Sequence, residues 1–275
     1  LAAFGPDGSR LEEAIVNYQR DNSDASALAL HQAAESRRQE LFRRINAVPD
    51  GLPTLIAMRA ALRGHLKQYP HLKTIDQDFV HLFTSWFNKG FLNLEKISWD
   101  TPAAVLEKLI QYESVHEIQG WDDLRRRLAE DRLCFAYFHP VMPEEPLIFV
   151  EVALVKGMAD SIGSLLDTPP STPRDADTAV FYSINNCQPG LSGVSFGNLL
   201  IKQVVSVLQR DHPKLKRFVT LSPIPGLRAW VMNEKPEWHD AFETRNHPDE
   251  LLVLVAQYLT SWHGKRLRDP VARFH

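Results

Sequence analysis

The chain has 275 residues, more than one ordinary hydrophobic core accommodates, so its length indicates about two domains. Hydrophobic residues make up 44% and charged residues 24% of the sequence, a balance typical of globular proteins that excludes a largely disordered chain. The formal net charge of −3 gives no indication of a nucleic-acid or membrane-surface partner, and no apolar run approaches the roughly 20 residues of a membrane helix.

The number and spacing of the cysteines limit the metal sites and disulfides that the chain can form. The two cysteines, Cys134 and Cys187, stand apart from any CxxC motif or Cys/His cluster. This spacing predicts neither a zinc site nor a disulfide framework, so we expect no metal and a reducing compartment. No secretory signal peptide is visible.

The first part of the chain has apolar residues at helical spacing. They form three stripes: Leu41, Ile45 and Val48; Leu55, Met58, Leu62, Leu66 and Tyr69; and Phe79, Leu82, Phe83, Trp86 and Phe87. A fourth helix is expected to follow Thr101, which can act as its N-cap, with Pro102 in the first helical position. We interpret residues 1–112 as an all-helical domain.

From about residue 113 the pattern favours a sheet with helices against it. Residues 134–138 and 147–154 predict a hairpin across a proline-containing turn, and the second run is apolar enough to be a central strand. Further strands are expected at 178–184 and 217–221, with helices at about 196–210 and 249–262. Residues 113–275 are therefore interpreted as an α/β domain with a mixed sheet.

A glycine-rich run from Pro189 to Asn198 joins a predicted strand to a predicted helix. Such a turn can direct backbone N–H groups at a pyrophosphate. The spacing fits neither a dinucleotide-binding GxGxxG motif nor a Walker A loop. A purely structural glycine turn is the other interpretation, and the run alone leaves both open.

Ser222 stands at the predicted end of a strand, where reactive groups are common in α/β sheets. It also begins a tight Ser-Pro-Ile-Pro-Gly turn, which is sufficient reason for a serine there. The serine-hydrolase motif GxSxG is absent. His275 is one of 11 histidines, and spacing does not distinguish it from His139, His239 or His263.

An ordered set of short segments resembles the malonyl-CoA decarboxylase family. The segments are 90–92, 97–104, 112–116, 138–140, 144–147, 181–184, 191–208, 221–226 and 269–275. They include the sequences Thr-Leu-Ser-Pro-Ile-Pro-Gly at 220–226 and Asp-Pro-Val-Ala-Arg-Phe-His at 269–275. Together the segments span the chain from about residue 86 to its end.

The resemblance implies a helical domain that supports homo-oligomers, as dimers or tetramers. It further implies a catalytic domain similar in fold to the acetyl-CoA-dependent N-acetyltransferases, whose last strands would follow His275 and are not in this sequence. Ser222 and His275 would be the catalytic pair. The CoA pyrophosphate would be held by Ser192, Gly193, Val194, Ser195, Phe196, Gly197 and Asn198. Some members carry glutamate where this chain has Ser195, so the chain departs from the family's pattern at this position.

The implied reaction converts malonyl-CoA to acetyl-CoA and CO2 through an enolate. It needs no cofactor besides the CoA of the substrate, because the thioester carbonyl is the electron sink. Two alternatives are an N-acetyltransferase-like acyl-CoA transferase and a non-catalytic acyl-CoA-binding scaffold. The expected location is the bacterial cytoplasm, or mitochondria or peroxisomes in a eukaryote.

Overall fold

Helices come first in the chain and pack on a mixed sheet. The computed structural model describes residues 1, 3–159, 161–194, 197–244 and 248–274. The helices that precede the sheet are α1 (Gly8–Asp21), α2 (Asp24–Ala34), α3 (Arg37–Asn46), α4 (Gly51–His65) and α5 (Lys73–Trp86).

The sheet has five strands in the order β1-β2-β3-β4-β5. They are β1 (Asn93–Ile97), β2 (Arg132–Phe138), β3 (Ile148–Val155), β4 (Thr178–Asn186) and β5 (Arg217–Thr220). Neighbouring strands are antiparallel except β4 and β5, which are parallel. A parallel pair needs a crossover connection, and this one contains the glycine-rich run and a helix.

The remaining helices lie between the strands or after them. Those within the sheet region are α6 (Ala103–Tyr112), α7 (Trp121–Arg127), α8 (Ile162–Asp167) and α9 (Gly197–Asp211). After β5 come α10 (Leu227–Glu234), α11 (His239–Thr244), α12 (Pro248–Thr260), the hairpin β6 (Trp262–His263) with β7 (Arg266–Leu267), and α13 (Pro270–Phe274). Within the described ranges, no helix is long and apolar enough to cross a membrane.

The expected architecture, helices followed by a mixed sheet, is confirmed, and β2 and β3 form the predicted hairpin. The interpretation of residues 1–112 as wholly helical is wrong at β1, which pairs with β2 from Asn93 opposite Phe138 to Ile97 opposite Cys134. The N-cap assignment is also wrong. Thr101 Oγ1 accepts a hydrogen bond from the Ser98 N–H, and α6 begins two residues later with Pro102 as its N-cap. The division into two domains at residue 112 stays a prediction.

One apolar core connects the first helices to the sheet. Buried residues of α3, α4 and α5 form a continuous cluster with residues of β2, β3 and α9, including Phe42, Leu55, Phe79, Tyr137, Val150, Leu200 and Val204. A second cluster on the opposite face joins β2 to α6 and α7. Because β2 and β3 are covered on both faces, nearly every position in them is buried.

A pair of opposite charges interrupts this apolar interior. Glu151 lies in the middle of β3 with its side chain 2% exposed, and its Oε2 accepts a hydrogen bond of 3.0 Å from Arg127 Nη1. Arg127 also donates to Asp123 Oδ1 at 3.1 Å. Burial raises the pKa of Glu151 to about 7, and the adjacent guanidinium opposes that rise.

Removing one member of this pair should be costly, because the other charge would stay buried without compensation. We predict that Arg127→Met lowers the free energy of unfolding by about 3–5 kcal/mol in urea denaturation. The control is Arg228→Met, which breaks the exposed pair with Glu243 and should cost less than about 1 kcal/mol. Equal losses in the two variants would contradict the assignment.

Candidate functional site

A cleft opens where β4 and β5 part. The two strands pair from Thr178 opposite Arg217 to Phe181 opposite Thr220, and the last bond of the ladder runs from Leu221 N to Phe181 O at 2.8 Å. Pro223 has no N–H with which to continue the ladder. The chain therefore turns away after Ser222, whereas β4 continues and exposes one edge.

The cleft has a volume of about 210 Å³ and is mostly apolar. Its lining comes from β4, from the start of β3, from the loop after α6 and from the two segments around Ser222 and α13. The lining residues are Val115, Ile148, Phe181, Tyr182, Ser183, Ile184, Asn186, Ser222, Pro223, Pro270 and Val271. This space suits a small acyl group better than a whole nucleotide, which needs a larger pocket.

The segment that leads to the predicted histidine also reaches the cleft. Asp269 is fully buried and caps α13, because its Oδ1 accepts hydrogen bonds from the Val271 and Ala272 N–H groups at 2.8 and 2.9 Å. Pro270 and Val271, at the start of this capped helix, line the cleft. His275 itself lies outside the described residues.

A buried carboxylate fixes the wall of the cleft. Glu113, at the end of α6, is 4% exposed, and its Oε1 accepts from the backbone N–H groups of Val115 and His116, each at 2.8 Å. On the β4 side, its Oε2 accepts from Asn185 Nδ2 at 2.6 Å and lies 2.7 Å from the hydroxyl of Ser183. Two of these residues, Val115 and Ser183, line the cleft, so one carboxylate aligns two of its walls.

Burial shifts the pKa of two titratable groups beside this wall. The pKa of the Tyr182 hydroxyl is raised well above its ordinary value by burial. The pKa of His116 is lowered, chiefly by burial, with Arg127 adding to the effect and Glu113 opposing it. The rings of His116 and Tyr182 lie 6.3 Å apart. Near neutral pH this wall therefore presents an uncharged surface to the cleft.

The glycine-rich turn follows β4 directly. A 3₁₀ turn spans Pro189–Leu191, and the chain then passes through Gly193 with φ +85°, a conformation that favours glycine. Gly190 packs so closely on α4 that a Cβ there would lie 2.1 Å from the carbonyl oxygen of Ile56. Ser192 and Gly193 are exposed, so their backbone faces solvent at the point where the chain approaches α9.

The sequence-predicted binding residues occupy one short stretch. Ser192, Gly193 and Val194 form the turn, and Gly197 and Asn198 open α9. Ser195 and Phe196 lie outside the described residues. Because Asn186 lines the cleft and Pro189 begins the turn, the carboxyl end of β4 leads from one to the other. The roles assigned to these residues, Ser222 and His275 stay predictions.

Sequence reasoning missed the groups that hold this arrangement. Glu113 and Ser183 lie in segments that carry the family resemblance, which was the only signal that they matter. Arg59 and Arg63 of α4 also contact the turn, at Gly190 O and Ser192 Oγ. In the sequence, these two residues are recognisable only as arginines four residues apart within an apolar helical stripe.

The fold and cleft define a class: an α/β protein with a ligand cleft where parallel strands part beside a glycine turn. Two family models match the chain. Residues 4–87 match the malonyl-CoA decarboxylase N-terminal domain, and residues 90–244 match the malonyl-CoA decarboxylase C-terminal domain. The chain belongs to the malonyl-CoA decarboxylase family.

Individual relatives agree with this assignment. A solved malonyl-CoA decarboxylase from Rhodopseudomonas palustris is 47% identical, with a TM-score of 0.88 over 100% of this chain and 74% of that one. The mitochondrial malonyl-CoA decarboxylase of Anser anser anser is 36% identical over 83% of this chain. The chain spans about half the length of the curated relatives it matches, 49% in the goose protein. The loading GNATL domain of CurA from Lyngbya majuscula aligns distantly, at 14% identity and a TM-score of 0.44.

The Glu113 cluster yields a stability prediction. Glu113→Ala should lower the free energy of unfolding by about 3 kcal/mol, because it leaves several buried donors without an acceptor. Chemical denaturation measures the loss. Glu95→Ala, on the exposed edge of β1, is the matched control and should stay within about 0.5 kcal/mol of the parent. A loss below about 1 kcal/mol for Glu113→Ala would show that water replaces the carboxylate.

Proposed function

We propose that the protein to which this chain belongs decarboxylates malonyl-CoA to acetyl-CoA and CO2. One observation supports this beyond family membership. Ser222, the residue that the family resemblance implies is catalytic, lies at a small apolar cleft that is lined in part by β4, and the glycine turn expected to hold CoA follows β4. A thioester anchored at the turn could therefore place its acyl group beside Ser222.

The chemistry requires two things of the site. Breaking the bond between the carboxylate and the α-carbon releases CO2 and leaves its electron pair as a thioester enolate. The enolate oxygen needs hydrogen-bond donors, and the α-carbon must receive a proton. No further cofactor is part of the proposal, because the thioester carbonyl accepts the electron pair itself.

Ser222 is proposed to bind the departing carboxylate and to orient His275. It is half-buried at the end of β5, in a cleft lined by uncharged groups. An anionic carboxylate drawn into such surroundings loses hydration, which favours its conversion to neutral CO2. The enolate oxygen in the cleft also needs a hydrogen-bond donor, and one such donor is typically worth ~10²–10³ in rate.

His275 is proposed to deliver the proton to the α-carbon. It follows α13 in the chain, and the first residues of α13, Pro270 and Val271, line the cleft. A positioned acid of this kind contributes roughly 10²–10⁴ in rate.

Two further expectations accompany this function. We propose that the helical region mediates self-association, since α1 carries exposed apolar side chains at Ile15 and Val16 and α2 carries one at Leu28. We also retain the bacterial cytoplasm as the expected location.

The first test is turnover of malonyl-CoA by the full-length protein. We expect release of CO2 in equal amount to acetyl-CoA, and a loss of about 10²-fold or more in kcat for Ser222→Ala. The control is Ser206→Ala on an exposed face of α9, which should retain the parent's kcat. Acetyl transfer to an amine without CO2 release would support the acetyltransferase alternative. CoA binding without turnover would support the scaffold alternative.

The second test asks whether Ser222 and His275 act as a unit. If the serine orients the histidine, Ser222→Ala with His275→Ala should lose about as much kcat as the more damaging single change. Steady-state kinetics of the parent, the two single variants and the double variant gives the coupling between the two residues. Multiplicative losses would instead mean that the two residues act independently, which contradicts the proposed pairing.

A further inference from the structure

Arg59 is a charged residue in the interior of the helical region. It lies on α4 between apolar neighbours, and its side chain is 1% exposed. A buried guanidinium is tolerated only where it is paired and its donors are satisfied. Asp76 of α5 supplies the counter-charge, with Asp76 Oδ1 accepting from Arg59 Nε at 2.8 Å.

A second nitrogen of the same guanidinium contacts the sheet region of the chain. Arg59 Nη1 donates a hydrogen bond of 2.7 Å to the carbonyl oxygen of Gly190, 131 residues further along the chain. The planar fork of arginine makes this double contact possible, because its donors point in fixed directions. A lysine ammonium is a single point of charge and does not reproduce the bridge.

Two more contacts join α4 to the glycine turn. The backbone of Gly190 lies against the carbonyl of Ile56, where no side chain larger than glycine's fits. One helical turn beyond Arg59, Arg63 Nη2 donates to Ser192 Oγ at 3.1 Å. The turn, in the segment that matches the C-terminal family model, is thus held by a helix in the segment that matches the N-terminal one.

We infer that Arg59 is a positioning residue that fixes the glycine turn in its ligand-binding conformation and thereby sets the affinity for CoA. Its effect on CoA rests on the proposed function, in which this turn holds the pyrophosphate. A turn already held in the bound geometry loses less conformational freedom on binding, and that difference appears as affinity. In this proposal Arg59 acts on the turn through its hydrogen bond to Gly190.

Arg38 offers a matched control. It is also buried, on α3, and forms an ion pair with an aspartate of α5, Asp78, with Nη2 to Oδ2 at 2.8 Å. Among the described residues, its side-chain hydrogen bonds go to Asp78 and to the carbonyl oxygen of Leu1, and none reaches the glycine turn. Arg59→Lys and Arg38→Lys therefore perturb equivalent buried pairs and differ in the contact with Gly190.

The experiment compares these two variants with the parent in the full chain. Hydrogen exchange of the amides at 187–194 reports the turn without any ligand, and isothermal titration with CoA reports affinity. We expect Arg59→Lys to speed exchange at the turn and to raise the Kd for CoA about tenfold, equivalent to about 1.4 kcal/mol. Arg38→Lys should leave the exchange rates and the Kd within about twofold of the parent. It should lower the melting temperature about as much as Arg59→Lys does.

The results distinguish failure of the positioning role from failure of the link to affinity and from failure of the proposed function. Unchanged exchange at 187–194 in Arg59→Lys overturns the positioning role, whatever CoA does. Faster exchange with an unchanged Kd overturns the link to affinity. A parent that fails to bind CoA refutes the proposed function, and with it the effect on affinity, while hydrogen exchange still decides whether Arg59 holds the turn. Equal effects of both lysine variants on the turn would reduce Arg59 to general stability and overturn the inference.

Discussion

The arrangement of the site depends on how far β4 and β5 can remain paired. Parallel pairing brings the ends of both strands to one edge of the sheet, and Pro223 ends it because its nitrogen has no hydrogen to donate. The exposed edge of β4, the turn at Ser222 and the small cleft are consequences of that single missing donor. If the ladder continued, backbone hydrogen bonds to a neighbouring strand would occupy the edge of β4 that now borders the cleft.

Such an opening needs rigid walls, and buried polar groups supply them. Glu113 binds backbone N–H groups of its own loop together with side chains of β4, so the loop cannot shift without breaking several hydrogen bonds. On the same face of the sheet, Arg127 and Glu151 connect α7 to β3. Buried polar contacts of this kind contribute little net stability, but they specify one arrangement because every alternative leaves a charge or donor unsatisfied.

The sequence allowed the central part of the fold to be predicted, because long apolar runs and helical stripes report burial directly. It failed at β1, an edge strand with Ile97 as its one fully buried side chain and therefore almost no alternating pattern. Ser222 was correctly placed at a strand end from the predicted strand before it and Pro223 after it, while its proposed role came from the family resemblance alone. The contacts of Arg59 and Glu113 could not have been predicted, because each joins segments whose proximity appears only after folding.

The shared core of helices and sheet changes how the two family segments should be regarded. Phe42 and Leu55 belong to the same buried cluster as Val150 and Leu200, so the early helices cover one face of the sheet rather than forming an independent bundle. The contacts of α4 with the glycine turn extend that dependence to the proposed CoA-binding turn, since a helix that moved against the sheet would carry Gly190 with it. The proposed binding of CoA and the proposed self-association of the helical region would therefore be coupled through α4. A change in the self-association of that region could then alter the conformation of the glycine turn without any change in the cleft.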